Sequence, residues 1–163
     1  MAAEWCFARS SLVPAATDEV WRRVVSPAGI NDEMWPWIRM TVPCGAGEVG
    51  IDAVPLGEPL GRAWLLLFGA LPFDYDLLTI TAVEPGRRFR EQSTMLSMRT
   101  WVHERTLEPA PDGGTLLTDQ VTLVPRGPLV HAGPMLRTLL SAFFGHRHRR
   151  LVRYFAARGS GSC

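Results

Sequence analysis

Five strand-like segments in succession, followed by one long helix, constrain the fold of this chain more than any other feature. The segments are Gly61 to Phe68, Tyr75 to Val83, Arg88 to Met95, Arg99 to Leu107 and Thr115 to Val124. Short links, such as the Pro/Gly-rich turn of residues 109–114, favour an antiparallel meander. We expect the helix predicted over Met135 to Ala157 to cover one face of the sheet, because no other segment is long enough.

The region before the meander predicts a first strand and two short helices. The first strand spans Glu4 to Leu12. Thr17 is a plausible N-cap for a helix, because acidic residues that suit a first turn follow it directly. Ser26-Pro27 ends that helix and begins a second short one, which runs to about Met34.

The connections between these elements complete the predicted architecture. Ile38 to Val42 predicts a second strand, and the Gly- and Pro-rich stretch Pro43 to Pro59 predicts a long connection with a short strand around Val49 to Val54. Pro125 to Pro134 predicts a linker before the last helix. The fold class is therefore α+β, with one curved antiparallel sheet and one long C-terminal helix.

Length and composition predict one soluble domain. We expect residues 1–158 to form it, because 163 residues with 47% hydrophobic content can bury a single core. The stretch 159–163, Gly-Ser-Gly-Ser-Cys, reads as a flexible tail. A net charge of +1 disfavours nucleic acid as a partner. All basic residues counted as Lys+Arg are arginines, which excludes chemistry that needs a lysine.

Cysteine use and hydropathy indicate a cytoplasmic location. Cys6, Cys44 and Cys163 are too few and too scattered for a closed disulfide framework, which suggests a reducing compartment. The N-terminal residues do not resemble a secretory signal. The longest apolar run is too short to span a bilayer, so we expect no membrane insertion. No ligand spacing for a metal is recognisable, and no cofactor is expected.

Several stretches resemble the SRPBCC superfamily of START-like, helix-grip proteins. They are PAATDEVWRRVVSP, TAVEPGRRFREQS, WVHERTLEPAPDGGTLLTDQVTLVPR and FFGHRHRRL, in that order along nearly the whole chain. The resemblance implies a curved sheet gripping the C-terminal helix, with a cavity for a hydrophobic small molecule. Members include lipid carriers and aromatic polyketide cyclases, so the fold does not determine the function.

A row of polar side chains is the candidate catalytic site. If one hairpin turn is centred on Pro111 and the preceding one on Ser97, then Glu91, His103 and Asp119 lie side by side on three strands. A neighbouring carboxylate would raise the pKa of His103 and select its tautomer, which suits general acid/base catalysis. The alternative is a set of satisfied polar pairs on an exposed face, since a slip of one residue exchanges the faces.

Further polar residues are secondary candidates. Arg39 and Arg105 could pair with these acids, although each is more typical of an ordinary surface arginine. Asp74 and Asp76 flank a tyrosine at a predicted strand start, where we expect them to face water. The candidates for ligand contact are Trp37, Arg39, Trp64, Trp101, Phe143 and Arg147.

The C-terminal helix carries the basic stretch FFGHRHRRL. Phe143, Arg147 and Leu151 follow helical spacing, so Arg147 interrupts an apolar stripe. It either pairs with a buried acid, for which Glu91 or Asp119 is a candidate, or extends to water. His146 and His148 lie about 200° apart around a helix and cannot hold one metal together.

The sequence therefore favours binding of a lipid- or polyketide-like molecule in a cavity. An enzyme of the cyclase or dehydrase type is the alternative, with Glu91, His103, Asp119 and Arg147 as the acting groups. An interaction module that uses the basic face of the last helix is disfavoured by the charge balance. The protein is expected to be a monomer or a homodimer.

Overall fold

A seven-stranded antiparallel sheet forms the body of the protein. The computed structural model describes residues 3–44, 46 and 50–159. The strands are β1 (Trp5–Val13), β2 (Ile38–Met40), β3 (Pro59–Leu67), β4 (Leu71–Glu84), β5 (Arg88–Met95), β6 (Met98–Pro109) and β7 (Thr115–Pro125). They lie side by side in the order β1-β7-β6-β5-β4-β3-β2. The five strands β3 to β7 thus form the predicted meander, and β1 and β2 occupy the two edges.

Three α-helices accompany the sheet in the described part of the chain: α1 (Thr17–Val24), α2 (Pro27–Met34) and α3 (Gly133–Gly159). The Ser26 side chain caps α2 by accepting a hydrogen bond of 3.0 Å from the Gly29 backbone N–H. Helix α3 packs mainly against β1 and α2. This arrangement confirms the α+β helix-grip fold. None of the described helices is both long and apolar enough to span a bilayer.

Two apolar clusters join α3 to the sheet. Leu151 and Phe155 of α3 belong to one cluster, together with residues of α1, β5, β6 and β7. Phe144 belongs to the other, which includes Phe7 of β1 and the β6–β7 residues around Trp101. The region between the clusters is where α3 places its polar side chains against the sheet.

Two connections differ from the sequence-based prediction. No strand forms in the described part of Val49 to Val54: Ile51–Ala53 is a short 3-10 helix, and Val49 lies outside the described residues. Its backbone bonds locally, since the Ala53 N–H donates to the Gly50 carbonyl at 2.9 Å. The predicted linker Pro125 to Pro134 contains another 3-10 helix, Gly127–Ala132, and the start of α3.

The ends of two helices also differ. Ala16, with no side-chain cap, holds the N-cap position of α1 that the sequence assigned to Thr17. The Thr17 hydroxyl instead accepts a hydrogen bond of 3.2 Å from the hydroxyl of Thr115 on β7. Helix α3 includes Gly159, which the sequence assigned to a flexible tail, and residues 160–163 lie outside the described residues.

Candidate functional site

A cavity of about 420 Å³ lies between the sheet, α2 and α3. Most of its wall is aliphatic or aromatic, including Ile30, Met34, Leu60, Leu65, Ile80, Phe89, Trp101, Leu140 and Phe143. The polar residues on the wall are Asn31, Thr41, Asp74, Asp76, Glu91, Ser97, His103 and Arg147. Its volume and its mainly apolar wall with a few polar groups are typical of small-molecule sites.

His103 of β6 lies on this wall between the two apolar clusters. Its ring meets Phe89 and Phe144 edge-on, with centroids 5.5 and 5.2 Å apart. Its Nε2 atom lies 2.8 Å from Oδ1 of Asp119. Because an ionised carboxylate only accepts hydrogen bonds, Nε2 carries the hydrogen. The Nδ1 atom makes no hydrogen bond to the described residues, so the neutral ring has an acceptor nitrogen available at the cavity.

Asp119 of β7 is fully buried and accepts hydrogen bonds from three side chains. Arg105 of β6 donates from Nε and from one NH2 group, at 2.7 Å each. The Nε2 atom of His148 on α3 lies 2.8 Å from Oδ2, and its Nδ1 atom lies 2.9 Å from the hydroxyl of Ser11 on β1. Asp119 therefore connects β6, β7 and α3 through one carboxylate.

Glu33 of α2 completes a buried ion network. Arg105 donates to both Glu33 oxygens, at 2.9 and 3.0 Å. Arg147 of α3 donates to Oε2 at 3.2 Å from Nε and approaches it at 3.0 Å from NH2. The network thus holds two guanidinium groups and two carboxylates, and it is electrically neutral when the histidines are neutral. Buried charges are tolerated when they are paired and hydrogen-bonded in this way.

The surroundings shift three pKa values in this network. Burial alone would raise the pKa of Asp119, but Arg105 and His103 outweigh it and hold that pKa well below its usual range. Burial would likewise lower the pKa of Arg105, but Asp119 and Glu33 raise it. For His103, burial outweighs the attraction of Asp119, and the nearby arginines add to the lowering of its pKa. Asp119 does raise the pKa of His103 as expected, but desolvation is the larger effect, so the net shift is downward.

The predicted polar row forms with one change in register. Glu91 of β5 lies opposite His103, as predicted. On the other side, His103 lies opposite Val121 and Asp119 lies opposite Arg105. The pairing is shifted by two residues because the β6–β7 loop is centred on Asp112 and not on Pro111. A shift of two preserves the face, so His103 still reaches Asp119 diagonally.

Two members of the network, Glu33 and His148, were not predicted from the sequence. Arg105 was named as a candidate partner of the acids, and it does pair with Asp119, but it was interpreted as more typical of a surface arginine and has 0% of its surface exposed. A signal for its burial exists in β6, where Trp101, His103 and Leu107 alternate on the same face. Glu33 and His148 carried no such signal. Arg147 is buried and pairs with a buried acid, which was one of the two alternatives for it, but the acid is Glu33 and not Glu91 or Asp119.

A second polar group on the wall is formed by acids alone. Asp74 and Asp76 of β4 are 4% and 3% exposed, so the expectation that they face water is wrong. Asp74 accepts hydrogen bonds from the Leu96 N–H at 2.9 Å and from the Ser97 hydroxyl. Asp76 and Glu91 lie close enough to affect each other's pKa, and burial raises the pKa of both groups. Asp76 raises the pKa of Glu91 further, and Asp74 raises that of Asp76, because adjacent carboxylates repel each other.

The residues predicted to contact a ligand divide into two groups. Trp101, Phe143 and Arg147 lie on the cavity wall. The wall also includes Ile38 and Met40 of β2 and Leu65 of β3. Because neighbouring side chains of a strand point to opposite faces, the adjacent positions face away from the cavity. Outside the wall, and exposed, are Trp37, Arg39 and Trp64.

Two of these outer residues pack against other aromatic side chains. The Trp64 ring meets Tyr75 edge-on at 5.6 Å between centroids. The Trp37 ring lies 6.0 Å from Phe68 and 6.5 Å from His146 of α3. Among the described residues, no group of three or more His, Cys, Asp or Glu side chains is arranged to hold a metal ion.

Solved structures share this fold at low sequence identity. A START superfamily protein from Mycobacterium smegmatis superposes with a TM-score of 0.69 at 13% identity, over 93% of this chain and 97% of that chain. Protein CV1439 from Chromobacterium violaceum gives 0.68 at 13% identity, over 92% and 96%. The di-domain ARO/CYC StfQ from the steffimycin biosynthetic pathway gives 0.63 at 14% identity, over 96% of this chain and 52% of that chain. These matches confirm the START-like fold predicted from the sequence.

Comparison by sequence places the chain in one family. A search among curated proteins finds no match. A family model, in contrast, matches residues 11–155, from the middle of β1 to the last turns of α3. The matched range includes every residue of the ion network, as well as Asp76 and Glu91, which are called the acid pair below. The chain therefore belongs to the family described as a domain of unknown function, DUF8410.

Proposed function

We propose that this protein binds a hydrophobic small molecule of lipid- or polyketide-like character in the cavity between the sheet and α3. The observation that carries the proposal is the cavity itself, with about 420 Å³ of space and a mainly apolar wall. Apolar side chains along the cavity lack the packing partners that side chains in a folded interior ordinarily have. Occupation by an apolar molecule would restore the lost contacts.

The charges around the cavity are consistent with a ligand that is not an anion. Arg147 is the basic residue on the wall, and both of its bonds run to Glu33. The second guanidinium of the network, that of Arg105, is divided between Glu33 and Asp119. Because the two arginines are already neutralised, affinity is expected to come mainly from apolar surface, at about 25 cal/mol per Å² buried.

The test is native mass spectrometry of the protein purified from its native host. We expect a non-covalent adduct that organic extraction releases as an apolar compound. Leu140→Trp, on the cavity wall, should reduce the bound fraction because the larger side chain occupies the space. The matched control is Leu139→Trp, on the adjacent and 58% exposed position of α3, which should leave the adduct in place. Equal adduct in both variants, or none in the native protein, would argue against binding in this cavity.

A second candidate function is catalysis of the cyclase or dehydrase type, with His103 as the base. It is favoured by one observation: Asp119 holds Nε2 at 2.8 Å, which leaves Nδ1 as the basic nitrogen at the cavity. A base must be unprotonated to act, and the lowered pKa of His103 keeps it neutral. Nitrogen NMR should find the Nε2–H tautomer and a pKa below the ordinary value. A doubly protonated ring at neutral pH would exclude this role.

A further inference from the structure

We propose that the ligand of the cavity is an apolar molecule that bears a protonated amine, and that Asp76 and Glu91 hold its amino group. The inference rests on the proposed binding function and adds the chemical class of the ligand. Its basis is the set of hydrogen-bonding atoms that the protein itself leaves unused.

The first observation is a pair of buried oxygens without donors. Oδ1 of Asp76 and Oε1 of Glu91 are buried and accept no hydrogen bond from the described residues. Both residues lie on the cavity wall and are 3% and 9% exposed. A buried acceptor without a donor destabilises the fold, and more so when the acceptor is charged. Such atoms are expected where a bound molecule supplies the missing hydrogens.

The second observation is the supply of donors around the pair. Ser93 of β5 lowers the pKa of both carboxyl groups, but it has only one hydroxyl hydrogen to give. Its oxygen is already used as an acceptor, by the Thr79 N–H at 3.1 Å. Arg147 acts on Glu91 by its charge, since its bonds to carboxylates of the described residues run to Glu33. The two acids are thus left with more acceptor capacity than their neighbours can fill.

The third observation is the sign of the charge on the wall. Asp74 adds a further carboxylate next to Asp76, and its oxygens are occupied by the Leu96 and Ser97 donors. The opposite strand contributes His103, whose free Nδ1 is again an acceptor. Unused acceptors and unpaired negative charge therefore predominate on this part of the wall. An ammonium group matches both properties, because it is a cation with three donors and no acceptor.

Amine binding would change the protonation of the acid pair. In the empty protein, burial and the neighbouring Asp76 carboxylate raise the pKa of Glu91 and so favour a proton on it. An ammonium group between them replaces that proton, so a proton from Glu91 is released to solvent for each amine bound. The affinity should rise with pH through the raised pKa of Glu91 and then level off. The other charged or titratable groups that face the pair are Asp74, Arg147 and His103.

The experiment compares three probes on one apolar body: 2-naphthylmethylamine, 2-naphthylmethanol and 2-naphthoate. Titration calorimetry at about pH 7 should find the amine bound tenfold to a hundredfold more tightly than the alcohol, the range expected for a charge-assisted hydrogen bond. The carboxylate should bind most weakly. Measurement in buffers with different ionisation enthalpies should show proton release with the amine and none with the alcohol.

Two variants locate the effect. Glu91→Gln and Asp76→Asn should each lower amine affinity about tenfold and leave alcohol affinity within about threefold. Glu108→Gln, which removes an exposed carboxylate from β6, is the matched control and should change neither. If a variant fails to fold, the probe series on the native protein at low and high pH decides.

Each outcome has a distinct meaning. Equal affinity for all three probes, or an amine preference that survives both variants, would overturn the amine proposal and leave the binding function intact. Failure of every probe, including the neutral alcohol, would count against both.

Discussion

Replacement of Arg105 by methionine is the sharpest test of the buried ion network. Arg105 is fully buried and donates four hydrogen bonds, two to Glu33 and two to Asp119, at 2.7 to 3.0 Å. Methionine keeps much of the side-chain volume but no donor and no charge. After Arg105→Met, Asp119 keeps only its contacts with two histidines, and Glu33 keeps only Arg147.

The expected loss follows from the charges that remain. Removal of one partner from a buried ion pair costs about 3–5 kcal/mol, because the other charge stays buried without compensation. Small domains are stable by only about 5–15 kcal/mol, so the loss is a large share of the total. The double variant Arg105→Met with Asp119→Asn should be more stable than Arg105→Met alone, since it leaves no unpaired charge on β7.

Urea unfolding followed by tryptophan fluorescence measures this loss. The matched control is Arg88→Met on β5, whose side chain is 37% exposed and pairs with Glu84 at 2.8 Å. That pair is partly solvated, so its loss should cost less than about 1 kcal/mol. A cost for Arg105→Met no greater than that for Arg88→Met would refute the account of the network.

The pH dependence gives a second check on the same variant. The folded pKa of Asp119 lies below its unfolded value, so its ionisation stabilises the native protein above the unfolded pKa. That contribution is lost as the pH falls towards the folded pKa. Arg105→Met removes the group that does most to lower the pKa of Asp119. The difference in stability between variant and native protein should therefore shrink below about pH 4.

Two further predictions concern the acid pair, Asp76 and Glu91, and the contact of the first residue of α3 with Trp5. Glu91 has a raised pKa, so its protonated form stabilises the fold at low pH, and this contribution is lost as the pH rises through the folded pKa. Glu91→Gln should therefore show a smaller fall in melting temperature over that pH range than the native protein. An equal fall in both proteins would contradict this prediction. Gly133→Ala should destabilise by about 1–3 kcal/mol in urea, because a Cβ would overlap the Trp5 indole, whereas Gly159→Ala on the same helix meets nothing within 4 Å and should cost nothing.

The fold could be predicted from the sequence because most of its strands and helices show a clear hydrophobic periodicity. β5 was predicted with its observed bounds, Arg88 to Met95, and its buried and exposed residues alternate along most of its length. The predicted last helix, Met135 to Ala157, differs from α3 by two residues at each end. The exception was residues 51–53, where a 3-10 helix replaces the expected strand. Such a short segment has no periodicity by which to distinguish the two.

The candidate site could be predicted only in part from the sequence, because its contacts depend on strand register and on how the helices cross the sheet. His103 and Glu91 were placed opposite each other because the short turn near Ser97 leaves little freedom in register. The longer β6–β7 loop allowed a shift of two residues, which brought Arg105 and not His103 opposite Asp119. Glu33 lies 72 residues from Arg105 in sequence, and its contact depends on how α2 crosses the sheet. No local pattern encodes that crossing.

The most direct test of the central claim is a calorimetric titration with a neutral apolar probe such as naphthalene. We expect saturable binding of one molecule with a negative heat-capacity change, the mark of apolar surface removed from water. Binding should be lost in Leu140→Trp and retained in Leu139→Trp, because only the first side chain enters the cavity. Absence of saturable binding to the native protein, or equal binding to both variants, would contradict the claim that this cavity holds a hydrophobic ligand.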